Sequence, residues 1–269
     1  CEAALEKAGI YAHQLSLPVP VLHKQYRSTP NPSTLPAIGN DVPFFIGSSD
    51  GCMANLGTGI IDTTKAALTI GTSGAVRTTV AQPLVDKHRR LFSYRVTDNF
   101  YVTGGPVNNG GIILKWFAEQ FLNRSFTKET DFAWLDPMLS SIQQGADKLI
   151  FLPYLLGERA PIWNAQAKGI FFGLTTAHTK AHMLRALVEA ICFSLCDVLN
   201  AVEDVNGPVQ TIYASGGFIH SKAWLQILSD VLGKRSSLPI KQMHLLWGPH
   251  FLHCMVQVRS PACRRYNSS

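Results

Sequence analysis

TIYASGGFIHSKAWLQILSDVLG, Thr211 to Gly233, passes from an apolar run through two adjacent glycines into a helical pattern. Thr211–Ser215 reads as a strand, and Gly216 and Gly217 end it. Ser221 suits the N-cap of the following helix, which closes at Gly233. Immediately upstream, His182–Asp204 carries apolar residues at Met183, Leu184, Leu187, Ile191, Leu195, Val198 and Val202, a helical rhythm. Further upstream the signal changes to strands. AALTIG and AVRTTV flank the small-residue turn Thr72–Ser73–Gly74, a hairpin-like signal. LFSYRV and FYVTGG form a second pair broken at Thr97–Asp98–Asn99. NNGGIILKWFAEQFL, Asn108–Leu122, predicts a helix, and KLIFLPYLLGERAPIWN a strand followed by a long polar loop. VPFFIG, Val42–Gly47, predicts a buried strand, and the first dozen residues a short helix. Parallel and hairpin connections therefore mix, and the chain is α/β rather than a bundle or a sandwich.

The chain has 269 residues, 46% of them hydrophobic, enough for one large domain or two small ones with a real core. No apolar run is long enough to span a bilayer. The start, CEAALEKAGI, has no basic region before an apolar stretch and no initiator methionine, which predicts a fragment without a leader. The six cysteines show no tight paired spacing, and Cys192 and Cys196 predict buried thiols on an apolar helix. A reduced, cytoplasmic setting follows as the expectation. The net charge of +6 is concentrated at the end: from Ile240 onward there are Lys241, Arg259, Arg264 and Arg265 and no acidic residue. That distribution predicts a solvated or aberrant tail rather than a nucleic-acid patch.

Three glycine-bearing segments follow strand-like runs and carry the chemistry. In GSSDGCMANLGTG, Gly47–Gly59, the carboxylate of Asp50 stands at a strand end where it can accept a proton from an attacking hydroxyl. The same residue equally suits the cap of a helix starting near Met53. In LTIGTSGAV, Gly71, Thr72 and Ser73 form a turn whose amides and hydroxyls can grip a phosphate, and it reads equally as an ordinary hairpin turn. Gly216 and Gly217 remove side chains where a nucleotide would approach. Neither a GxGxxG nor a P-loop lysine motif is present. Glu158, Arg159 and Asn164 suit either ligand orientation or a structural ion pair. His244, His250, His253, Cys254 and Cys263 match no common zinc spacing.

In order, these segments resemble the FGGY family of carbohydrate kinases. The resemblance covers Cys1 to about Pro239. GSSD looks like the family's catalytic-base segment and IGTSG like its phosphate loop. GIFFGL with HMLRALVE is similar to its second signature, with Gly169, Phe171, Gly173, Leu174, His182, Met183, Ala186 and Glu189 in register. ASGGFIHSKAWLQILSDVLG looks like the nucleotide loop and helix. Within the family, TIGTSGAVR, LFSYRV, GGPVNNGGIILKWF and LPYLLGERAPIWN look most like the gluconate kinases, with xylulose and glycerol kinases as rivals. The resemblance implies an actin-like (ribonuclease H-like) ATPase domain, the second of two clamping ATP. It implies Asp50 as base, Gly71, Thr72 and Ser73 at phosphate, and Gly216 and Gly217 against the nucleotide. Mg2+ would travel with ATP, held largely by phosphates and water, and domain closure would exclude water. The implied partners are a sugar or sugar acid and ATP, without nucleic acid or membrane. Self-association into a homodimer is left open. A non-catalytic ATP-binding fragment and a tail-mediated metal or nucleic-acid binder are the competing classes.

Family members run about twice this length, so residues 1–61 are expected to be the end of a first domain and 62–239 the nucleotide-binding domain. Residues 240–269 are expected to be frameshifted. In the overlapping frame, Met243 then His244 forces Ala, and Trp247 then Gly248 and Met255 then Val256 each force Gly. Suitable codons elsewhere permit NK(T/A)DASSLGAAFLALYGAGEI, the helix the family wants beside adenine. Trp247, Phe251, Leu252 and Met255 would otherwise have no face to bury them. The expectation is a frame change between about Arg235 and Ile240 and a fragment inactive alone.

Overall fold

The structure, a computed structural model, describes residues 2–26, 42–124, 132–233 and the backbone of 236–237. The tail from 238 onward, including the histidine–cysteine group and most of the predicted frame change, lies outside the described residues. The described residues fall into two units, one ending at Ser49 and the other beginning at Asp50.

In the first unit, α1 (Glu2–Ala8) has no buried residue. Strands β1 (Lys24–Gln25) and β2 (Phe44–Phe45) pair antiparallel, Lys24 opposite Phe45. The buried strand expected over 42–47 is thus reduced to two residues, with Phe44 and Ile46 exposed. A two-residue partner gives a ribbon too small to bury its own apolar faces.

The second unit opens with α2 (Asp50–Gly57), followed by β3 (Lys65–Ile70), β4 (Gly74–Val80), β5 (Phe92–Thr97) and β6 (Phe100–Val107). Then come α3 (Gly111–Phe121), α4 (Leu135–Ser140), β7 (Ile150–Leu152), β8 (Ile170–Phe172) and α5 (Lys180–Asn206). The described elements end with β9 (Thr211–Ser215), α6 (Lys222–Leu232) and β10 (Ser236–Ser237). Six strands form one mixed sheet in the order β10-β9-β3-β4-β6-β5. β9 is parallel to β3, Thr69 opposite Ser215; β3, β4, β6 and β5 run antiparallel in turn. This is the expected mixed sheet flanked by helices.

Helix α5 supplies the core. Leu184, Leu187, Ile191, Leu195, Val198 and Val202 repeat at helical spacing and are all buried. They pack with Leu68, Val76, Val107 and Phe117 and with Trp224 and Leu228 of α6. The helix is longer than its apolar pattern because Thr179 sits at its N-cap, donating its N–H to His182 Nδ1 at 3.1 Å. Ser221 caps α6 as expected, accepting from Trp224 N at 3.1 Å and bonding Asp136. Cys192 is buried, and burial pushes its thiol up; Cys196 is only half-buried, contrary to the expectation for both.

Arg90 ties the segment before β5 to the last turns of α5. It donates Nε and a backbone N–H to Asp86 Oδ2 at 3.0 and 2.7 Å, and Nη1 to Asp204 Oδ2 at 2.8 Å. These bonds hold the Asp86 carboxyl down at about 2. A carboxyl depressed on folding stabilises the native state above its unfolded value, and that stability is lost as pH falls through the folded value. Asp86→Asn is therefore expected to lower Tm at neutral pH. The gap to the wild type should close as pH drops from about 4 to about 2. Melts across that range check it, and a gap independent of pH contradicts it.

Candidate active site

The turn after β3 is built from both sides. Ile70 is buried, whereas Gly71, Thr72 and Ser73 are exposed, and Gly71 N donates to Ser73 O at 2.8 Å. The start of α3 docks on the back of this turn. Gly111 N donates to Gly71 O at 2.7 Å and Ile112 N to Thr72 O at 3.1 Å. The approach needs glycine: a Cβ on Gly110 would lie 2.6 Å from Ser73 C, and one on Gly111 2.7 Å from Gly71 O. The turn's carbonyls are thereby consumed. The amides and hydroxyls of Thr72 and Ser73 make no hydrogen bond among the described residues. A loop with unspent N–H groups is what an anionic phosphate can use.

Gly216 leaves β9 beside this turn. Because β9 and β3 are parallel and adjacent, both loops emerge at strand C-terminal ends, where open α/β sheets bind ligands. Gly216 has φ +112, and a Cβ there would sit 2.0 Å from Ile70 O. Gly217 opens a short 3-10 helix leading to Ser221. Thr69 Oγ1 and Ser215 Oγ are 3.0 Å apart and bridge the two strands just below.

Asp50 begins α2 itself rather than capping a helix near Met53. It is exposed, and its Oδ1 accepts Gly51 N at 2.6 Å. The helix is seated on β4 by buried Cys52, Asn55 and Leu56, with Asn55 Nδ2 donating to Thr79 Oγ1 at 2.7 Å. Its first turn lies over Arg77: a Cβ on Gly51 would come within 3.0 Å of Arg77 Nε. The turn and the two-glycine loop are thus neighbours at one end of the sheet, and the start of α2 with Asp50 lies over Arg77, further along β4.

Glu158 does not form the ion pair with the Arg159 side chain that the sequence suggested. It is buried and accepts Asn108 N at 2.5 Å, Asn109 Nδ2 at 2.9 Å and Arg159 N at 2.8 Å. Arg159 Nε instead donates to Asn108 Oδ1 at 2.6 Å. Asn164 pairs its backbone with that of Glu158 at 2.9 Å in both directions. Asn108 and Asn109, read from sequence as the start of α3, precede it and belong to this network. Their position just before Gly110–Gly111 makes Glu158 a brace for the Gly71–Ser73 turn. Glu158→Gln puts an NH2 group among three donors. It is expected to cost about 1–3 kcal/mol, read as a fall in Tm of several degrees. An unchanged Tm would show that the brace carries nothing.

Arg77 was not singled out from sequence. The signal was present: one arginine inside GAVRTTV, a strand otherwise without charge. No group of three His, Cys, Asp or Glu side chains among the described residues could hold a metal ion.

Residues 66–248 match the C-terminal domain of the FGGY family of carbohydrate kinases. The gluconokinase of Bacillus subtilis is 42% identical over 245 residues, covering 88% of this chain and 48% of that protein. The crystal structure of gluconate kinase from Lactobacillus acidophilus superposes with a TM-score of 0.81 at 33% identity, covering 98% of this chain and 53% of the other. The ligand-bound xylulose kinase of the same organism gives 0.83 at 34%, with the same coverages. The chain spans about half the length of the relatives it matches.

Proposed function

This chain belongs to the FGGY family of carbohydrate kinases, and we propose that it carries the nucleotide side and the catalytic base of an ATP:gluconate 6-phosphotransferase. The observation that carries the reading is the turn at Gly71–Ser73. It is clamped from behind by Gly110–Gly111, the Thr72 and Ser73 amides are unspent among the described residues, and Gly216 lies alongside. Gluconate is favoured over xylulose by the degree of identity to gluconokinases, 42% against 33% for the xylulose kinase of Staphylococcus epidermidis.

In this reading the Thr72 and Ser73 amides take the phosphate to be transferred, and Gly216 and Gly217 admit the rest of the nucleotide. Magnesium supplies charge neutralisation on the phosphates when it enters with ATP. The substrate hydroxyl oxygen bonds to the γ-phosphorus as the bond from that phosphorus to the β–γ bridging oxygen breaks. The hydroxyl proton passes to the Asp50 carboxylate, and ADP departs with the bridging electrons. Catalysis is then mostly positioning and charge compensation. Residues 1–61 would close a preceding domain, 62–239 would form the nucleotide domain, and 240–269 would be the product of a frame change, which the DNA across codons 235–240 tests.

The test of function is product analysis with the protein as its gene encodes it. Gluconate and ATP are expected to yield 6-phosphogluconate and ADP in equal amounts, with xylulose at least tenfold poorer in kcat/KM. Faster turnover of xylulose would transfer the assignment to the pentulose kinases. Absence of any sugar-dependent ADP would favour a non-catalytic nucleotide-binding role.

A further inference from the structure

Arg77 is a cation without an assigned partner. Arg90, Arg95 and Arg185 are each paired with a carboxylate, and Arg159 is bonded to Asn108. Arg77, half-buried on β4, makes no hydrogen bond or ion pair among the described residues. Space has nevertheless been kept for it, since the Cβ that Gly51 lacks would press on Nε at 3.0 Å. Its charge is attracted by Asp50 and opposed by Arg159. Asp50 is thus the nearby carboxylate that attracts Arg77, and Arg159 is a second guanidinium close enough to oppose it. Burial, with Arg159, holds Arg77 below the usual arginine value, yet an arginine stays protonated in a protein. A largely desolvated cation with no carboxylate in hydrogen-bond contact is costly unless an anion completes it.

The anion it suits is not the nucleotide's. Arg77 lies three steps along β4 from Gly74, at the phosphate turn, roughly 10 Å at the rise of an extended strand. Arg77 thus lies on the side of the base, where the acceptor binds. A neutral sugar brings nothing to match it. A sugar acid brings a carboxylate, whose two oxygens fit a guanidinium fork.

We propose that Arg77 is the residue that selects an acidic substrate: its guanidinium binds the carboxylate of the sugar acid, in a subsite kept open by Gly51 and made more positive by Arg159. This rests on the gluconate reading above and extends it to a single side chain.

The test compares gluconate with gluconamide, in which a neutral amide replaces the carboxylate, using the protein as its gene encodes it. The wild type is expected to favour gluconate at least tenfold in kcat/KM. Arg77→Gln should lower kcat/KM for gluconate by roughly 100-fold, mainly through KM. Gluconamide turnover should stay within about threefold and the KM for ATP should be unchanged. Arg77→Lys, which keeps a charge beneath α2, should retain the preference for the acid at reduced strength. A parallel loss with gluconate and gluconamide in either variant overturns the proposal, because Arg77 would then serve phosphate or the fold. If Arg77→Gln does not fold, wild-type melts decide: gluconate must raise Tm and gluconamide must not, and equal protection overturns the proposal. A wild type that prefers xylulose sinks the gluconate reading together with this subsite. A loss of selectivity that fails to appear in the variants alone sinks only the role of Arg77.

Discussion

Asp50→Asn is expected to reduce sugar-dependent ADP release by about 10²–10⁴-fold while leaving Tm unchanged. The asparagine keeps the shape and an oxygen to accept Gly51 N, but it no longer takes a proton. Beyond its attraction for Arg77, the fold has little stake in the carboxylate. Asp50 is exposed at the first position of α2, and that helix is held on β4 by Cys52, Asn55 and Leu56. Its effect should fall on kcat, with the KM values for sugar and ATP little altered, because a base acts in the transition state. A loss smaller than tenfold would mean that the base is another residue. A large fall in Tm would return Asp50 to the role of a helix-terminal acid.

Gly216→Ala is the second large effect, and it acts through structure. At φ +112 an L side chain is strained, at a cost of about 1–3 kcal/mol. The new Cβ would also stand 2.0 Å from Ile70 O, a backbone atom of the neighbouring strand. Relief requires β9 to shift away from β3, adding about 1–3 kcal/mol. Together these approach a large part of an ordinary domain's stability, roughly 5–15 kcal/mol. The protein should be recovered in low yield with a Tm lowered by at least about 5 °C, and the soluble fraction should bind ATP more than tenfold more weakly. Gly207→Ala separates the two causes. Gly207 also has positive φ, +85, but nothing lies within 4 Å of its Cβ position. It should show the strain alone and leave ATP binding intact. Equal behaviour of the two variants would remove the close approach as the reason for glycine at 216.

Much of the architecture was legible because its signals are local. The two hairpins β3–β4 and β5–β6 announced themselves by alternating runs around small or polar turns. The α5 stripe at Leu187, Ile191, Leu195 and Val198 did so by its period, and Ser221 and Gly233 bounded α6. Failures arose where burial depends on partners distant in sequence. Phe44 and Phe45 have the composition of a core strand, yet among the described residues they pair with Lys24 and Gln25, and Phe44 stays exposed. Asn108 and Asn109 look like a helix start, but their side chains are drawn away to Arg159 and Glu158, some fifty residues on, which delays α3 to Gly111.

The candidate site shows the same division. The glycines and Asp50 follow short runs whose chemistry is visible in isolation. That Gly110 and Gly111 must lack Cβ atoms because the turn at Gly71–Ser73 lies against them is a fact of packing, and spacing does not reveal it. Arg77 stood in plain view within GAVRTTV. Its meaning came only once α2 was seen over it and no partner stood opposite it among the described residues.

In the proposed reaction, Asp50, the Thr72–Ser73 amides and the Gly216–Gly217 loop act on one phosphoryl group. A crystal structure of the protein as its gene encodes it, with ADP, magnesium, aluminium fluoride and gluconate, measures this directly. The fluoride group is expected against the Thr72 and Ser73 amides, with the nucleotide running over Gly216. A gluconate hydroxyl is expected within hydrogen-bond reach of an Asp50 carboxylate oxygen. Nucleotide bound at that turn with Asp50 facing away from both fluoride and sugar would contradict the proposed reaction.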